Sequence, residues 1–323
     1  MCSNNSGNPG VVYRGGGMKV DLAVAGPDVR YLSSLARLAE DLGFDALCLP
    51  EPGADPFARL ARAADRTWRI GLHASVPVPG SPTALAHRAG DLQEYTSGRF
   101  VLALAPRPAG CTVSAPARTR RAVTALHTAW RDTRDRPKVF LAAVGPGTAE
   151  LAGEIADGLI LPGFTTTRFL QEMTVPALER GLRRSGRGWD DLEVVAPGLV
   201  VTGHTAEERE RSARRARRAI AAHGVALAHH PVLKAHGRAA LQEELRALAE
   251  QGRWSELPGL IDDELLDACA VQGPPGDIPD LLVARYGSVC RRISLTGPLH
   301  HDPGTWAAAV SRIHEITCEP VPS

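Results

Sequence analysis

The chain has 323 residues, of which 44% are hydrophobic and 23% are charged, as in ordinary folded proteins. Its 37 basic and 36 acidic residues leave a formal net charge of +1, which argues against nonspecific attraction to nucleic acid or to a membrane surface. No apolar run is long enough to span a membrane, and the first 17 residues lack the apolar stretch of a signal peptide. We therefore expect a cytosolic protein with no nucleic-acid or membrane partner.

The six cysteines show no CxxC spacing, which predicts reduced thiols rather than a zinc knuckle or a disulfide scaffold. Residues 1–17 are polar and rich in Gly and Asn, and we interpret them as a flexible leader. No internal repeat or linker interrupts the rest of the chain. Residues 18–323 are therefore predicted to form a single domain.

Short apolar runs alternate with helical patterns along that domain. The predicted strands are 19–24, 46–49, 69–76, 100–105, 139–144, 159–161, 192–201 and 292–295. The predicted helices are 29–42, 56–67, 81–96, 118–130, 148–156, 166–185, 206–223, 239–250, 262–270 and 303–316. Asp55 and Ser81 are expected N-caps because each precedes a proline, and Gly43 is an expected C-cap.

Eight strands, each followed by a helix and each apolar on both faces, predict a parallel sheet closed into a (β/α)8 TIM barrel. The helical stretch between the seventh and eighth strands is an addition to that plan. An open, doubly wound sheet is the alternative. In a barrel, the chemistry belongs to the loops at the carboxyl ends of the strands.

The loop after the fifth strand carries the sequence Gly145-Pro146-Gly147-Thr148 at the start of a helix. Glycine allows close approach of a ligand, and free N–H groups at a helix N-terminus favour a phosphate. An ordinary Gly-rich turn is an equally good interpretation. The turn lacks the GxGxxG and GK[ST] patterns, so neither a dinucleotide fingerprint nor a Walker A loop is predicted.

Two other positions are candidates for catalysis. Glu51 follows the second strand, where a carboxylate could exchange protons with a ligand at the barrel rim; a solvated loop glutamate is the alternative. His73 lies within the third strand, and alternation places it on the same side as Ser75. If that side is not the barrel mouth, His73 is a buried structural residue.

Several other chemistries are not supported. The His229-His230 and His300-His301 pairs lack the spacing of HExxH, so we expect no metal site. No GxSxG motif is present, which disfavours an α/β-hydrolase. The basic segment 207–223 pairs Glu207 with Arg211 at helical spacing, which is typical of a solvated outer helix rather than of a nucleic-acid site.

The chain from residue 18 to about residue 298 resembles the luciferase-like monooxygenase superfamily, and within it the actinobacterial oxidoreductases that use the deazaflavin coenzyme F420. The stretches that carry the resemblance are 18–51 (beginning MKVDLAVAG), 81–105, 139–161, 169–187 and 251–287. The resemblance implies hydride transfer between F420 and a small or medium organic substrate, in a homodimer. Specialised metabolite biosynthesis is one setting in which such an enzyme would act.

The resemblance also implies where the cofactor binds. The ring would rest near the ends of the second, third and fourth strands. A bulge, often with a non-prolyl cis peptide, would support it at Ala74-Ser75-Val76. The phosphate would bind at Val144 to Thr148, with help from Thr165 and Thr166.

Three features depart from the family pattern. The segment between the fourth and fifth strands is short, the end of the fourth strand reads ALAPRPAG, and the third strand ends in the Pro-rich VPVPG. These departures leave room for a descendant without a redox cofactor that acts as a cyclase, an isomerase or a noncatalytic partner. An FMN-dependent monooxygenase of the same superfamily is a further alternative.

Overall fold

A closed barrel of eight parallel strands forms the centre of the molecule. The computed structural model describes residues 17–24, 30–50, 55–105, 115–142, 145–226, 229–296 and 302–318. The barrel strands are β1 (Lys19–Ala23), β2 (Ala46–Leu49), β3 (Gly71–Pro77), β4 (Phe100–Ala105), β5 (Lys138–Ala142), β6 (Gly158–Ile160), β7 (Glu193–Gly198) and β10 (Arg292–Thr296). β1 pairs with β2 on one side and with β10 on the other, which closes the sheet. The predicted (β/α)8 barrel is confirmed.

Helices surround the barrel. Those between consecutive strands are α1 (Leu32–Asp41), α2 (Pro56–Ala64), α3 (Pro82–Tyr95), α4 (Ala115–Ala129), α5 (Pro146–Ile155), α6 (Thr167–Phe169) and α7 (Val175–Ser185). The predicted helix 166–185 contains a π-helical turn, Leu170–Thr174, that joins α6 to α7. The later helices are α8 (Ala206–Gly224), α9 (His230–Ala235), α10 (Ala239–Glu250), α11 (Asp263–Cys269), α12 (Ile278–Tyr286) and α13 (Pro303–Cys318). Of these, α9 and α12 were not predicted.

The seventh strand differs from its prediction. The predicted strand 192–201 divides into β7 and a separate β8 (Val200–Val201), which pairs with β9 (Val271–Gln272) outside the barrel. This small second sheet ties the start of the helical layer α8–α11 to its end. A single apolar run in the sequence cannot show this division, because both segments are buried and extended.

Two of the three apolar clusters among the described residues hold these layers together. The larger one lies between the barrel and the surrounding helices and includes the outward-facing Leu22, Leu47, Leu72, Leu102 and Leu141. The second lies within the α8–α11 layer and includes Phe164, Ile220, Leu245 and Leu265. The predicted inner stripe of α8 contributes to it, while Glu207 and Arg211 form their predicted ion pair on the exposed side.

The predicted helix caps are partly confirmed. Asp55 accepts a hydrogen bond from the Phe57 amide at 3.1 Å, and Gly43 ends α1 with a φ of +87°, a conformation that favours glycine. Ser81 precedes α3 but its side chain makes no capping hydrogen bond. Here Pro82 at the first helical position marks the start of the helix. Within the described ranges, no helix has the length and apolar character needed to cross a bilayer.

Candidate functional site

The barrel interior is lined by alternate residues of each strand, and its two ends differ in character. Towards the amino ends of the strands, the inward residues include Lys19, Asp21, Lys138, Glu193 and Arg292. Towards the carboxyl ends they include Ala23, Ser75, Ala103, Ala142 and Ser294. The expectation that the strands are apolar on both faces holds for the inward cluster Val101, Ala103, Phe140 and Val195 but is wrong at the amino end, where charges occupy the inner face.

Arg292 organises the charged half. Its Nε and Nη2 donate to both carboxylate oxygens of Asp21, at 2.9 and 2.5 Å, and its Nη1 donates to Glu193 at 3.0 Å. Asp21 is fully buried and Arg292 is 5% exposed. Lys138 and Lys19 approach Glu193 at 2.6 and 3.6 Å. Because each carboxylate has a cationic partner, the burial of these charges is compensated.

The pKa values reflect this network. Burial would raise the pKa of Glu193, but Arg292, Lys138 and Lys19 outweigh burial and lower that pKa to about 2. Burial alone would lower the pKa of Arg292, but Asp21 and Glu193 raise it. Glu193 and Arg292 are therefore both ionised at neutral pH, with their charges paired.

The inward side chains of the carboxyl-terminal half are uncharged, and the barrel interior also holds an apolar cluster of Val101, Ala103, Phe140 and Val195. Ala142, Ile160 and Ser294 point inward yet remain partly exposed, as do Pro77 and Ala105 one step higher. Solvent therefore reaches these five side chains at the carboxyl end of the barrel, which we call its mouth. The carboxyl-terminal face is the usual place of a barrel active site.

Cys48 and His73 form the floor of this mouth. They pair across β2 and β3, and the Cys48 Sγ lies 3.3 Å from the His73 Nδ1. Burial, reinforced by Arg292, lowers the pKa of His73 to about 4, so its ring is neutral at pH 7. Burial and the Asp21 carboxylate raise the pKa of the Cys48 thiol. The floor is therefore polar but uncharged.

His73 and Ser75 share the inner face of β3, as their alternation predicts. Ala74 and Val76 point outward and pack against the helices. β3 pairs with β4 in regular register from Leu72 to Pro77, and among the described residues every peptide bond is trans. The bulge and the cis peptide expected at residues 74–76 are therefore wrong, because regular pairing with β4 continues through this segment and leaves no extra residue to bulge.

The turn at Gly145 to Thr148 lies at the carboxyl end of β5, as expected. Gly145 is the N-cap of α5, Pro146 has no N–H, and the amides of Thr148 and Ala149 already donate to the Gly145 carbonyl at 3.2 Å. The amide of the exposed Gly147 is thus the main donor left at this turn. A Cβ on Gly145 would meet no atom within 4 Å, so the space beside the turn is open.

Thr165 and Thr166 follow β6 and are both buried. The Thr166 hydroxyl accepts from the Phe169 amide at 3.1 Å and contacts the His236 Nε2 at 2.8 Å. Its position at the rim is as predicted, but its hydroxyl caps α6. Glu51 and Val144 lie outside the described residues, so their proposed roles stay predictions.

Two surface grooves complete the geometry. One of about 680 Å³ lies at the amino end of the barrel and is lined by Trp68, Tyr95 and neighbouring polar residues. The other, about 390 Å³, lies beside Thr166 and His236, close to the carboxyl rim. The first is remote from the loops where barrel chemistry takes place, so the mouth remains the candidate site.

Sequence reasoning missed Asp21, Cys48 and Arg292. A signal was present for two of them, because Asp21 and Arg292 are charged residues inside otherwise apolar strands, where an unpaired charge is costly. Cys48 had no distinguishing pattern. A cysteine within an apolar run is most often a small buried hydrophobe.

Comparison with known proteins finds a family and relatives that this chain is similar to. The model of the luciferase-like monooxygenase family matches residues 11–110 and 108–292. An uncharacterized protein of Mycobacterium tuberculosis is 35% identical over 289 residues, covering 78% of this chain and 85% of the relative. A 5,10-methylenetetrahydromethanopterin reductase of Archaeoglobus fulgidus is 25% identical over the same coverage.

Among solved structures, the coenzyme F420 dependent tetrahydromethanopterin reductase of Methanopyrus kandleri superposes with a TM-score of 0.75. The match covers 94% of this chain and all of that chain at 17% identity, and it supports the shared fold. The family match extends over the strands β1 to β7 and ends at Arg292, the first residue of β10. This chain is a member of the luciferase-like monooxygenase family.

Proposed function

We propose that the protein is an F420-dependent oxidoreductase that acts on a small or medium organic molecule. The observation that carries the proposal is the carboxyl end of the barrel, where Pro77, Ala105, Ala142, Ile160 and Ser294 point inward and remain partly exposed. A planar ring would rest on these uncharged side chains, and the filled half beneath would stop the ring from sinking deeper. Family membership and the F420-dependent relatives in its structural neighbourhood support the same cofactor.

The residues present fit such a group. The neutral pair Cys48–His73 forms an uncharged floor, and the ion pairs below it hold β1, β7 and β10 in place. The Gly147 amide at the start of α5 would hold the cofactor phosphate, aided by the positive end of the helix dipole. When bound, F420 supplies the hydride chemistry; the protein binds, orients and shields it.

A fluorescence titration with F420 tests this proposal. The native protein should quench F420 fluorescence in a saturable manner. Ser294→Phe places a ring in the mouth and should abolish that quenching, whereas Ala284→Phe, on the exposed side of α12, should leave it unchanged. Saturable quenching by the Ser294→Phe variant would place the cofactor elsewhere.

A negative charge introduced at Gly147 tests the proposed position of the cofactor phosphate. Gly147→Glu has room, since a Cβ there would meet the Pro116 Cγ at an ordinary 3.4 Å, and an acidic residue in the first turn favours the helix. It should nevertheless weaken F420 binding by repelling the phosphate. Gly259→Glu is the control, because a Cβ there meets no atom within 4 Å and the added charge lies away from the turn. Equal effects of the two variants would contradict the phosphate assignment.

One observation favours a second candidate, a family member without a redox cofactor. β3 continues in regular register to Pro77, at the point where a bulge was expected to support the ring. For that candidate, neither F420 nor FMN binds in calorimetry. FMN binding with oxygen-dependent product formation would instead identify a monooxygenase.

The remaining parts of the proposal follow from the resemblance. We propose a homodimer, which light scattering coupled to size-exclusion chromatography would test. A small organic substrate and a cytosolic location stay predictions of the sequence. A panel of carbonyl and alkene compounds, assayed with reduced F420, would identify the substrate class through oxidation of the cofactor.

A further inference from the structure

We propose that Cys48, His73 and Asp21 form a binding site for a thiophilic cation, Zn²⁺ or Cu⁺, at the floor of the barrel mouth. The three residues lie on the adjacent strands β2, β3 and β1, and all point into the barrel. One donor atom from each lies within 4.8 Å of the others. Thiolate, imidazole and carboxylate are the protein ligands of zinc, and thiolate with imidazole suits Cu⁺.

The distances agree with a shared cation. Zinc bonds of about 2.3 Å to sulfur and about 2.0–2.1 Å to nitrogen, at a tetrahedral angle, separate the two donor atoms by about 3.6 Å. The Cys48 Sγ and His73 Nδ1 are 3.3 Å apart. A small rotation of either side chain closes that difference. Three protein ligands leave a fourth position for water or another small ligand.

Arg292 determines which cations the site takes. Both oxygens of Asp21 already accept hydrogen bonds from Arg292, so this carboxylate contributes less negative charge than a free one. A hard cation such as Mg²⁺ binds through oxygen ligands alone and gains little here. A soft cation gains most of its binding from sulfur and nitrogen, and Arg292 leaves those two atoms free.

The cation can reach the site. His73 and Asp21 are buried, but Cys48 is only partly buried even though it points into the barrel interior. Solvent therefore reaches part of the Cys48 side chain, and a cation would enter by the same side. Binding displaces one proton, since the Cys48 thiol becomes a thiolate, its S–H bond breaks and the proton passes to solvent.

The test uses the full chain with Cys2, Cys111 and Cys318 replaced by Ser, because Cys318 is exposed and would bind soft cations on its own. Zn²⁺ and Cu⁺ are titrated separately in competition with a chelator of known affinity, without F420. We expect one cation per chain, release of one proton per cation, and no binding of Mg²⁺. Tight binding of Mg²⁺ would overturn the assigned donor set.

Matched variants locate the cation. Cys48→Ser and His73→Phe should each weaken binding by more than about 100-fold. His87→Phe, on the exposed side of α3, should bind as the parent does. Unchanged binding by the Cys48→Ser variant would overturn the proposal, as would the absence of stoichiometric binding of either cation to the parent.

Alkylation gives a second measurement that does not depend on folding of these variants. Zn²⁺ or Cu⁺ should protect Cys48 of the parent from iodoacetamide, as read by peptide mass spectrometry, and absence of protection would contradict the site. The inference does not depend on F420. If cation binding fails, the F420 titration still decides the proposed function, and the reverse also holds.

Discussion

The two halves of the barrel interior are built from the same strands but have opposite character. Asp21 is ion-paired with Arg292, whereas Ala23, one inward position further along β1, is small. The same change separates Arg292 from Ser294 on β10. The charged half is held by ion pairs of β10 with β1 and β7 and of β5 with β7. The other half ends in uncharged, partly exposed side chains, so the division between scaffold and candidate site falls within single strands.

The largest effect should follow from removing the central cation of the charged half. Arg292→Met leaves the fully buried Asp21 without its partner, and we expect a loss of about 3–5 kcal/mol in the free energy of unfolding. Urea denaturation measures it. Asp21→Leu in the same chain should recover much of the loss, because the unpaired charge is then gone. A loss below about 1 kcal/mol for Arg292→Met would show that the network does not hold the barrel together.

The next effect depends on pH. The pKa of Glu193 is lowered from 4.5 to about 2, so its contribution to stability is present above about pH 4.5 and is lost as the pH falls towards 2. Glu193→Gln should cost up to about 3 kcal/mol at pH 7. The difference between the two proteins should shrink as the pH falls through that window. A difference that stays constant from pH 7 to pH 3 would exclude this ionisation as its cause.

Methyl groups added at Gly158 and at Ala142 test whether the two halves of the barrel interior differ in how tightly they are packed. A Cβ on Gly158, in the charged half, would lie 2.6 Å from the Phe140 ring and 2.8 Å from the Glu193 carbonyl. Gly158→Ala should therefore destabilise by about 1–3 kcal/mol. Ala142→Val, on the partly exposed inner face at the mouth, should cost less than about 1 kcal/mol. Equal losses in thermal denaturation would mean that the mouth is as tightly packed as the lower half.

The smallest effect should come from charge pairs outside the barrel. Glu210 and Arg214 are separated by 3.2 Å, and each side chain is 59% exposed. Glu210→Gln should change the unfolding free energy by less than about 0.5 kcal/mol, and salt should remove the change. If Glu210→Gln lowered the unfolding free energy as much as Glu193→Gln does, then burial inside the barrel would not be the cause of the larger effect at Glu193.

Much of the architecture could be predicted from the sequence. Strand length, Pro and Gly positions and helical spacing are local properties, so the eight barrel strands and most of the helices were placed within a few residues. The alternation that put His73 beside Ser75 was equally local. Two predictions failed: the single strand 192–201, which divides into β7 and β8, and the bulge at residues 74–76. Both features depend on which neighbouring strand a segment pairs with.

The sequence alone determined that this chain forms a (β/α)8 barrel with an α5 helix that starts at a Gly-Pro-Gly turn, because periodicity and turn residues act over short distances. Only the tertiary structure decided that Asp21 contacts Arg292, 271 positions away, and that Cys48 on β2 contacts His73 on the adjacent strand β3. Closure of the sheet brings those side chains together. Which inward residues become neighbours depends on the register of every strand pair around the barrel, and no single segment of the sequence contains that register.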